Sequence, residues 1–286
     1  MKRFIISIII IALCVLACSQ NEGTIFNDTS KDVKDSTTPY LISKLENISY
    51  GYELKFQYDT QNRLQTVFQD ATPLLRFTYL SQHDAYFSGL RKIEQFKPLN
   101  DDFCGFEGRY PDTFIVDSVT ANHISFRRET KRNDGSIACL SHQYITYTFE
   151  NDLIKQFTIK HSNPVDSERP SVFTFHHDSE GNLETIIASG PSVDTHTLLS
   201  VVEHESAGIR PDVLPIVGTN LPVFQQYFFP NTYMSRSLLK KVRLFDNSKE
   251  ITTAYRFDEN GLVTNQLLYK DGFGIRYKKE YVPVPY

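Results

Sequence analysis

The chain has 286 residues, with 30 Lys and Arg against 34 Asp and Glu and a formal net charge of -4. That mild acidity, with no Lys/Arg stripe, argues against a nucleic-acid partner. The aromatic set is 21 Phe and 16 Tyr with no Trp, which suits the pleated faces of strands.

The first element is a leader. Lys2 and Arg3 precede an apolar run from Phe4 to Ala17, and Val15-Leu16-Ala17-Cys18 ends it. The run falls short of the ~20 residues a membrane-spanning helix needs, and it matches a secretory h-region. A small residue before Cys18 is the layout of a bacterial lipoprotein signal, in which a diacylglycerol is transferred to the cysteine sulfur. Residues 1–17 are therefore expected to be removed and Cys18 to be lipidated. Ser19 after the cysteine favours the outer membrane. Losing Lys2 and Arg3 shifts the formal charge to -6, from 28 basic and 34 acidic residues. Residues 18–40 are polar and poor in large apolar side chains, so they read as a flexible tether. The remainder, 41–286, is read as a single β-rich domain.

Cys104 and Cys139 are then the two cysteines left in the domain. In an exported chain they form a candidate disulfide, with two separate buried thiols as the alternative.

A degenerate repeat follows: aromatic-x-aromatic-acid, a polar turn, then an aliphatic return. It occurs as Phe56-Gln57-Tyr58-Asp59 returning through Leu64 and Val67, and as Phe175-His176-His177-Asp178 returning through Leu183 and Ile186. Tyr255-Arg256-Phe257-Asp258 leads into Glu259-Asn260-Gly261. Tyr147-Thr148-Phe149-Glu150 is a shortened copy, and Phe77-Thr78-Tyr79 reaches Leu90 and Ile93 by a longer connection. Alternation places Phe175 and His177 on one sheet face. The acid can accept bonds from turn amides. Asn or Gly supplies a left-handed residue. Repetition predicts an antiparallel meander of hairpins, forming a curved sheet or a partly open barrel. Residues 98–113 read as a long loop. Residues 188–232, with Pro191, Pro211, Pro215, Pro222 and Pro230, read as an irregular cover over a sheet edge or face. Within that stretch, Thr195 to Glu205 carries Leu198, Leu199 and Val202 at helical spacing and predicts a short helix.

The segment 56–64 resembles the tyrosine-aspartate, or Rhs-type, repeat. The order of motifs over 41–280 is similar to a family of Bacteroides-type lipoproteins of unknown function with such repeats. The resemblance rests most on Ser237-Leu238-Leu239-Lys240-Lys241-Val242 followed by Thr253 to Val263. It implies an exported antiparallel β domain and carries no catalytic residues. Asp35-Ser36-Thr37 and Asp117-Ser118-Val119 resemble the O-glycosylation acceptor of such exported proteins, which makes Ser36 and Ser118 candidates.

Catalytic and metal constellations are weak. His176 and His177 face opposite ways on a strand. His196 and His204 are eight apart, too far for a helical metal pair. There is no Gly-x-Ser-x-Gly. Asp101-Asp102 and Asp258-Glu259 sit in expected turns, and Gly272-Phe273-Gly274 lacks the helix of a phosphate loop. No cofactor is expected. The leading expectation is a lipid-anchored envelope protein that binds a glycan, a peptide or another envelope protein. An envelope-polymer hydrolase and a carrier of apolar molecules are the alternatives.

Overall fold

The computed structural model describes residues 40–80, 89–96, 112–120, 122–130, 134, 136, 143–151, 153–161, 170–190, 193–205, 235–244, 250–270 and 273–284. Among the described residues sixteen strands follow one another in chain order. The first eight are β1 (Tyr40–Asn47), β2 (Tyr52–Tyr58), β3 (Leu64–Gln69), β4 (Thr72–Tyr79), β5 (Leu90–Gln95), β6 (Asp112–Thr120), β7 (His123–Thr130) and β8 (Gln143–Glu150). The second eight are β9 (Leu153–His161), β10 (Ser171–His177), β11 (Leu183–Gly190), β12 (Val193–Glu205), β13 (Leu238–Leu244), β14 (Glu250–Phe257), β15 (Val263–Lys270) and β16 (Phe273–Pro283). Each pairs antiparallel with its sequence neighbours, and β1 pairs with β16. The expected meander is present, but it closes completely. The partly open sheet is corrected to a closed barrel, because pairing β1 to β16 satisfies both free edges.

The short helix is corrected too: Thr195 to Glu205 lies within β12, which pairs with β11 and β13. The chain places Leu199 fully inside and leaves Val202 outside, 47% exposed. Leu198 is the extra residue of a bulge against β11, and Val202 the extra residue of a bulge against β13, so two of the three residues that gave the helical spacing sit at breaks in the strand alternation. Strand pairing on both sides, together with β-branched Thr195, Thr197, Val201 and Val202, overrides that spacing. Among the described residues there is no helix. The loop expected over 98–113 loses its last two residues to β6, and the irregular stretch loses 188–190 and 193–205 to strands. With the sheet closed, the described strands leave no edge for a Pro-rich cover to protect.

Antiparallel alternation sorts side chains to the two faces of the wall. Inward lie Leu45, Leu54, Val67, Leu75, Ile93, Phe114, Phe126, Ile145, Phe157, Ile186 and Leu199, each at most 1% exposed. Sixteen-stranded porins enclose an aqueous channel. Here apolar side chains fill the inner face along these walls. Tyr147 stacks on Phe157 at 4.9 Å, and Phe157 stacks on Phe173 at 5.2 Å. These are direct cross-strand partners on β8, β9 and β10. Each such pair contributes about 0.5–1.5 kcal/mol beyond area burial.

The outward face is charged. Lys44 bonds Glu53 at 2.7 Å and approaches Glu280 at 3.8 Å, while Lys55 meets Glu53 at 2.9 Å. Arg127 meets Glu129, Lys241 meets Glu250, and Arg243 meets Glu250. Exposed pairs of this kind add little stability, but they fix which face meets water.

Among the described residues the inner face carries Lys279, 2% exposed, and the ion pair of Arg128 with Asp112. Arg128 Nη2 donates to Asp112 Oδ2 at 2.8 Å, and the two side chains are 4% and 2% exposed. Thr130 Oγ1 donates to Asp112 Oδ1 at 2.6 Å, and Arg128 Nη1 donates to the Gln143 side chain at 3.2 Å. The register pairs Asp112 with Thr130 and Arg128 with Gln143, so the network pins β6, β7 and β8 together. Removing one partner of a buried pair strands the other charge, so Asp112→Ala should destabilise the domain by about 3–5 kcal/mol. Chemical denaturation of the two proteins, compared at neutral pH, measures that loss.

Candidate functional site

The barrel has two unlike ends. Odd-numbered strands start at the end where β1 begins and β16 finishes, the termini end of the described barrel, and even-numbered strands finish there. All three Asp turns of the repeat fall at this termini end. Their geometry is the same in each. Asp59 Oδ1 accepts from the Gln61 and Arg63 amides at 2.9 Å. Asp178 Oδ1 accepts from Glu180 and Asn182 at 2.8 and 2.9 Å. Asp258 Oδ1 accepts from Asn260 and Leu262 at 2.9 Å. The third residue after each Asp has positive φ: 60° at Asn62, 85° at Gly181 and 75° at Gly261. That is the left-handed residue the repeat called for.

The tyrosine of the repeat has a defined task. Tyr58 Oη donates to the Ile42 carbonyl, and Tyr79 Oη to Leu64, both at 2.8 Å. Tyr255 Oη donates to Leu239 at 2.8 Å and Tyr281 Oη to Val263 at 3.0 Å. In each case a descending strand is tied to the strand before it. A one-residue bulge recurs beside the turn, opposite Tyr58, Tyr79, Phe149, His177 and Phe257. It sharpens the bend where the hairpins meet the rim.

Two of these turns and one later residue build a cleft of about 570 Å³. Its lining includes Glu150, Lys155, His177, Asp178, Glu180 and Arg236. The Arg236 amide donates to the Gly181 carbonyl at 3.1 Å. A Cβ on Gly181 would sit 2.8 Å from Arg236 Cδ and Nε, so the glycine provides the left-handed φ and also the space for this side chain. Ser235 Oγ accepts from the Leu183 amide at 3.1 Å. The chain entering β13 is thereby docked on the β10–β11 turn.

Two of the three carboxylates that line the cleft, Asp178 and Glu150, are committed. Asp178 accepts two turn amides and the Asn182 side-chain amide. Burial raises its pKa, but the bonds from Asn182 and Glu180 more than offset this and leave it below the ordinary carboxylate value. Glu150 pairs with Lys155 at 3.1 Å. A general acid needs a raised carboxyl pKa, and Asp178 has the opposite.

The sequence-derived histidines separate as alternation requires. His176 is exposed on the outside, and His177 is half-buried and lines the cleft. His204 Nε2 lies 2.9 Å from the Leu183 carbonyl, so that nitrogen carries the proton and donates. Among the described residues no group of three His, Cys, Asp or Glu side chains could hold a metal. Ser118 is exposed on β6, with its hydroxyl 2.9 Å from His123 Nε2. Asp258 is a turn acceptor, and Phe273–Gly274 opens strand β16 instead of a phosphate-binding helix. Cys18, Ser36, Cys104 and Cys139 lie outside the described residues. Arg236 was missed. No motif surrounds it, and only the fold brings it to Gly181, 55 positions earlier.

No protein-family model matches the chain, and no curated protein does. Among solved structures it is similar to a porin-like protein from Bacteroides vulgatus ATCC 8482. The TM-score is 0.53 at 11% identity, over 85% of this chain and 99% of that one. A porin-like protein from Bacteroides uniformis ATCC 8492 matches with a TM-score of 0.45 and 13% identity, over 86% and 99%. The first likeness is one of fold alone: an all-antiparallel β-barrel.

The Asp turns generate a pH prediction. Asp59 and Asp178 have lowered pKa values in the folded state; at Asp59 burial opposes the shift, and Arg63 and the turn amides carry it. A depressed carboxyl stabilises the fold above the ordinary value of about 4, and that stability fades as pH falls through the folded value. Thermal melts should therefore drop below about pH 4. Asp59→Asn should flatten that drop and lower the melting temperature at neutral pH.

Proposed function

We propose that the chain is an exported, lipid-anchored outer-membrane protein that acts as a binding or interaction module, with its barrel standing in water. The observation that carries this reading is the polarity of the wall. A membrane-spanning barrel turns an apolar band outward and a polar surface inward. This one does the reverse, with Leu, Ile and Phe side chains inside and Lys–Glu ladders outside. A Lys or Arg facing acyl chains costs about 2–4 kcal/mol at mid-bilayer, and Lys44, Lys55, Arg127, Lys241 and Arg243 all face out. Attachment then falls to the acyl chains on Cys18, since stable anchoring takes more than one chain. The repeated Asp turns and tyrosine ties support kinship with the tyrosine-aspartate repeat lipoproteins.

A hydrolase is less well supported, because Asp178 is held by turn amides and Glu150 by Lys155, and among the described residues of the cleft the exposed Glu180 has no second carboxylate free to pair with it as acid and base. A carrier is also less well supported, because the inner apolar side chains have no accessible surface to offer cargo. A disulfide between Cys104 and Cys139 remains part of the proposal. The two lie eight residues before Asp112 and nine after Thr130, and those strand ends are direct partners. Thiol labelling of the unreduced mature protein should find neither cysteine reactive. O-glycosylation at Ser36 and Ser118 is likewise proposed, and a sugar increment in the intact mass of native protein is its measure.

Cys18→Ser is the decisive variant. The wild-type protein should fractionate with membranes. The variant should be soluble without detergent, fold to the same melting temperature, and open no conductance in a planar bilayer. A variant that stays in the membrane until detergent is added, or that forms pores, overturns this reading. Affinity capture from the native envelope, analysed for proteins and glycans together, identifies the partner.

A further inference from the structure

The termini end of the barrel is also the end nearest any anchor on Cys18, because Tyr40 opens β1 there. This step rests on the anchoring reading above. A tether of 22 residues from Cys18 to Tyr40 spans about 25 Å on average, so this end can reach the membrane surface. Leu80 and Val282 are exposed on the same rim, at 41% and 43%; Val282 is paired with Leu41 of β1, and Leu80 follows β4, three strands away. The Arg236 cleft lies farther around that rim.

The cleft carries both signs of charge in an order that suits one kind of guest. Arg236 is exposed, and its single side-chain bond is a long 3.5 Å contact from Nη2 to the Asn151 carbonyl. Among the described residues no carboxylate lies within ion-pair distance of its guanidinium. Its planar donor fork therefore remains available for an anion with several acceptor oxygens. Glu180 and Glu150 line the same cleft; among the described residues Glu180 has a 3.4 Å contact from Asn182, and Glu150 pairs through Oε2 with Lys155, leaving Oε1 outside the pair on a side chain that is 61% exposed. They can accept hydrogen bonds from a small ammonium. A simple anion would be repelled by these two and by Asp178, and a simple cation by Arg236 and Lys155. A compact zwitterion fits both halves.

We infer that this cleft binds a phosphate ester bearing a primary ammonium, and that its source is the phosphoethanolamine headgroup of a membrane lipid. Arg236 holds the phosphate, and Glu180 with Glu150 accepts the ammonium N–H groups. Binding seats the barrel upright on its own membrane, and the far end, with the connections after β5, β7 and β9, points away.

The test uses the mature full-length chain with Cys18→Ser, so that no acyl chain contributes and a failure of lipidation cannot be mistaken for a failure of this site. Lipidation itself is read separately, from the mass of the native protein. Co-flotation is measured with vesicles of phosphatidylcholine alone, with added phosphatidylethanolamine, or with added phosphatidylglycerol. Phosphatidylcholine has no ammonium N–H to donate, and phosphatidylglycerol has no ammonium. The phosphatidylethanolamine vesicles should bind most strongly, and soluble O-phosphoethanolamine should compete. Arg236→Gln and, separately, Glu180→Gln should each weaken binding about tenfold, the loss expected for a charged hydrogen bond, with melting temperatures unchanged. Equal binding to all three vesicles, no binding to any, binding of soluble O-phosphoethanolamine without vesicle binding, or full binding by Arg236→Gln overturns the inference.

Discussion

An antiparallel strand turns one side chain in two to each face, and closing the sheet leaves a single enclosed face on which apolar side chains can escape water. Almost everything else in this molecule follows from that constraint. It sets the alternation along all sixteen strands and places Phe126, Tyr147, Phe157 and Phe173 in one inward row. The Lys–Glu ladders go outside by the same rule. It also explains why an inward Arg128 needs Asp112, Gln143 and the hydroxyl-bonded Thr130 side of the network around it. A charge on the inner, apolar face is tolerated only when its partners arrive with it.

Closure requires the hairpins to bend together at the rims. The repeat supplies the device at the termini end. An aspartate gathers the turn amides, Asn62, Gly181 or Gly261 makes the left-handed step, a bulge follows, and a tyrosine hydroxyl ties the strand to its predecessor. These parts act on neighbouring groups within a few ångströms. The copy at 147–153 replaces aspartate with Glu150 and puts positive φ on Asn151. The copy at 77–93 keeps the tyrosine tie and lengthens the connection. The cleft arises where two such turns meet Arg236, so a structural repeat becomes a surface with charge of its own.

The hairpins were legible because their information is local. Phe56-x-Tyr58-Asp59 and its counterparts state the strand, its end and its return within about ten residues. The β12 strand was misread for a related reason. Bulges at Leu198 against β11 and at Val202 against β13 interrupt the alternation, and Leu198, Leu199 and Val202 then mimic a helical stripe. What decides the matter is pairing with β11 and β13, and β13 begins more than thirty positions later. The cleft was illegible on the same principle. Gly181 announces a turn, but nothing near Arg236 announces that its side chain lies over that glycine.

By itself, then, the sequence determined the leader pattern ending at Cys18, the antiparallel hairpins, and the turn chemistry of Asp59, Asp178 and Asp258, because each depends on residues close together in the chain. The tertiary structure decided whether the sheet closes, which face of the wall is buried, and which distant side chains share the termini rim. Those outcomes depend on β1 meeting β16 and on Arg236 meeting Gly181, contacts between residues far apart in the chain that no local pattern encodes.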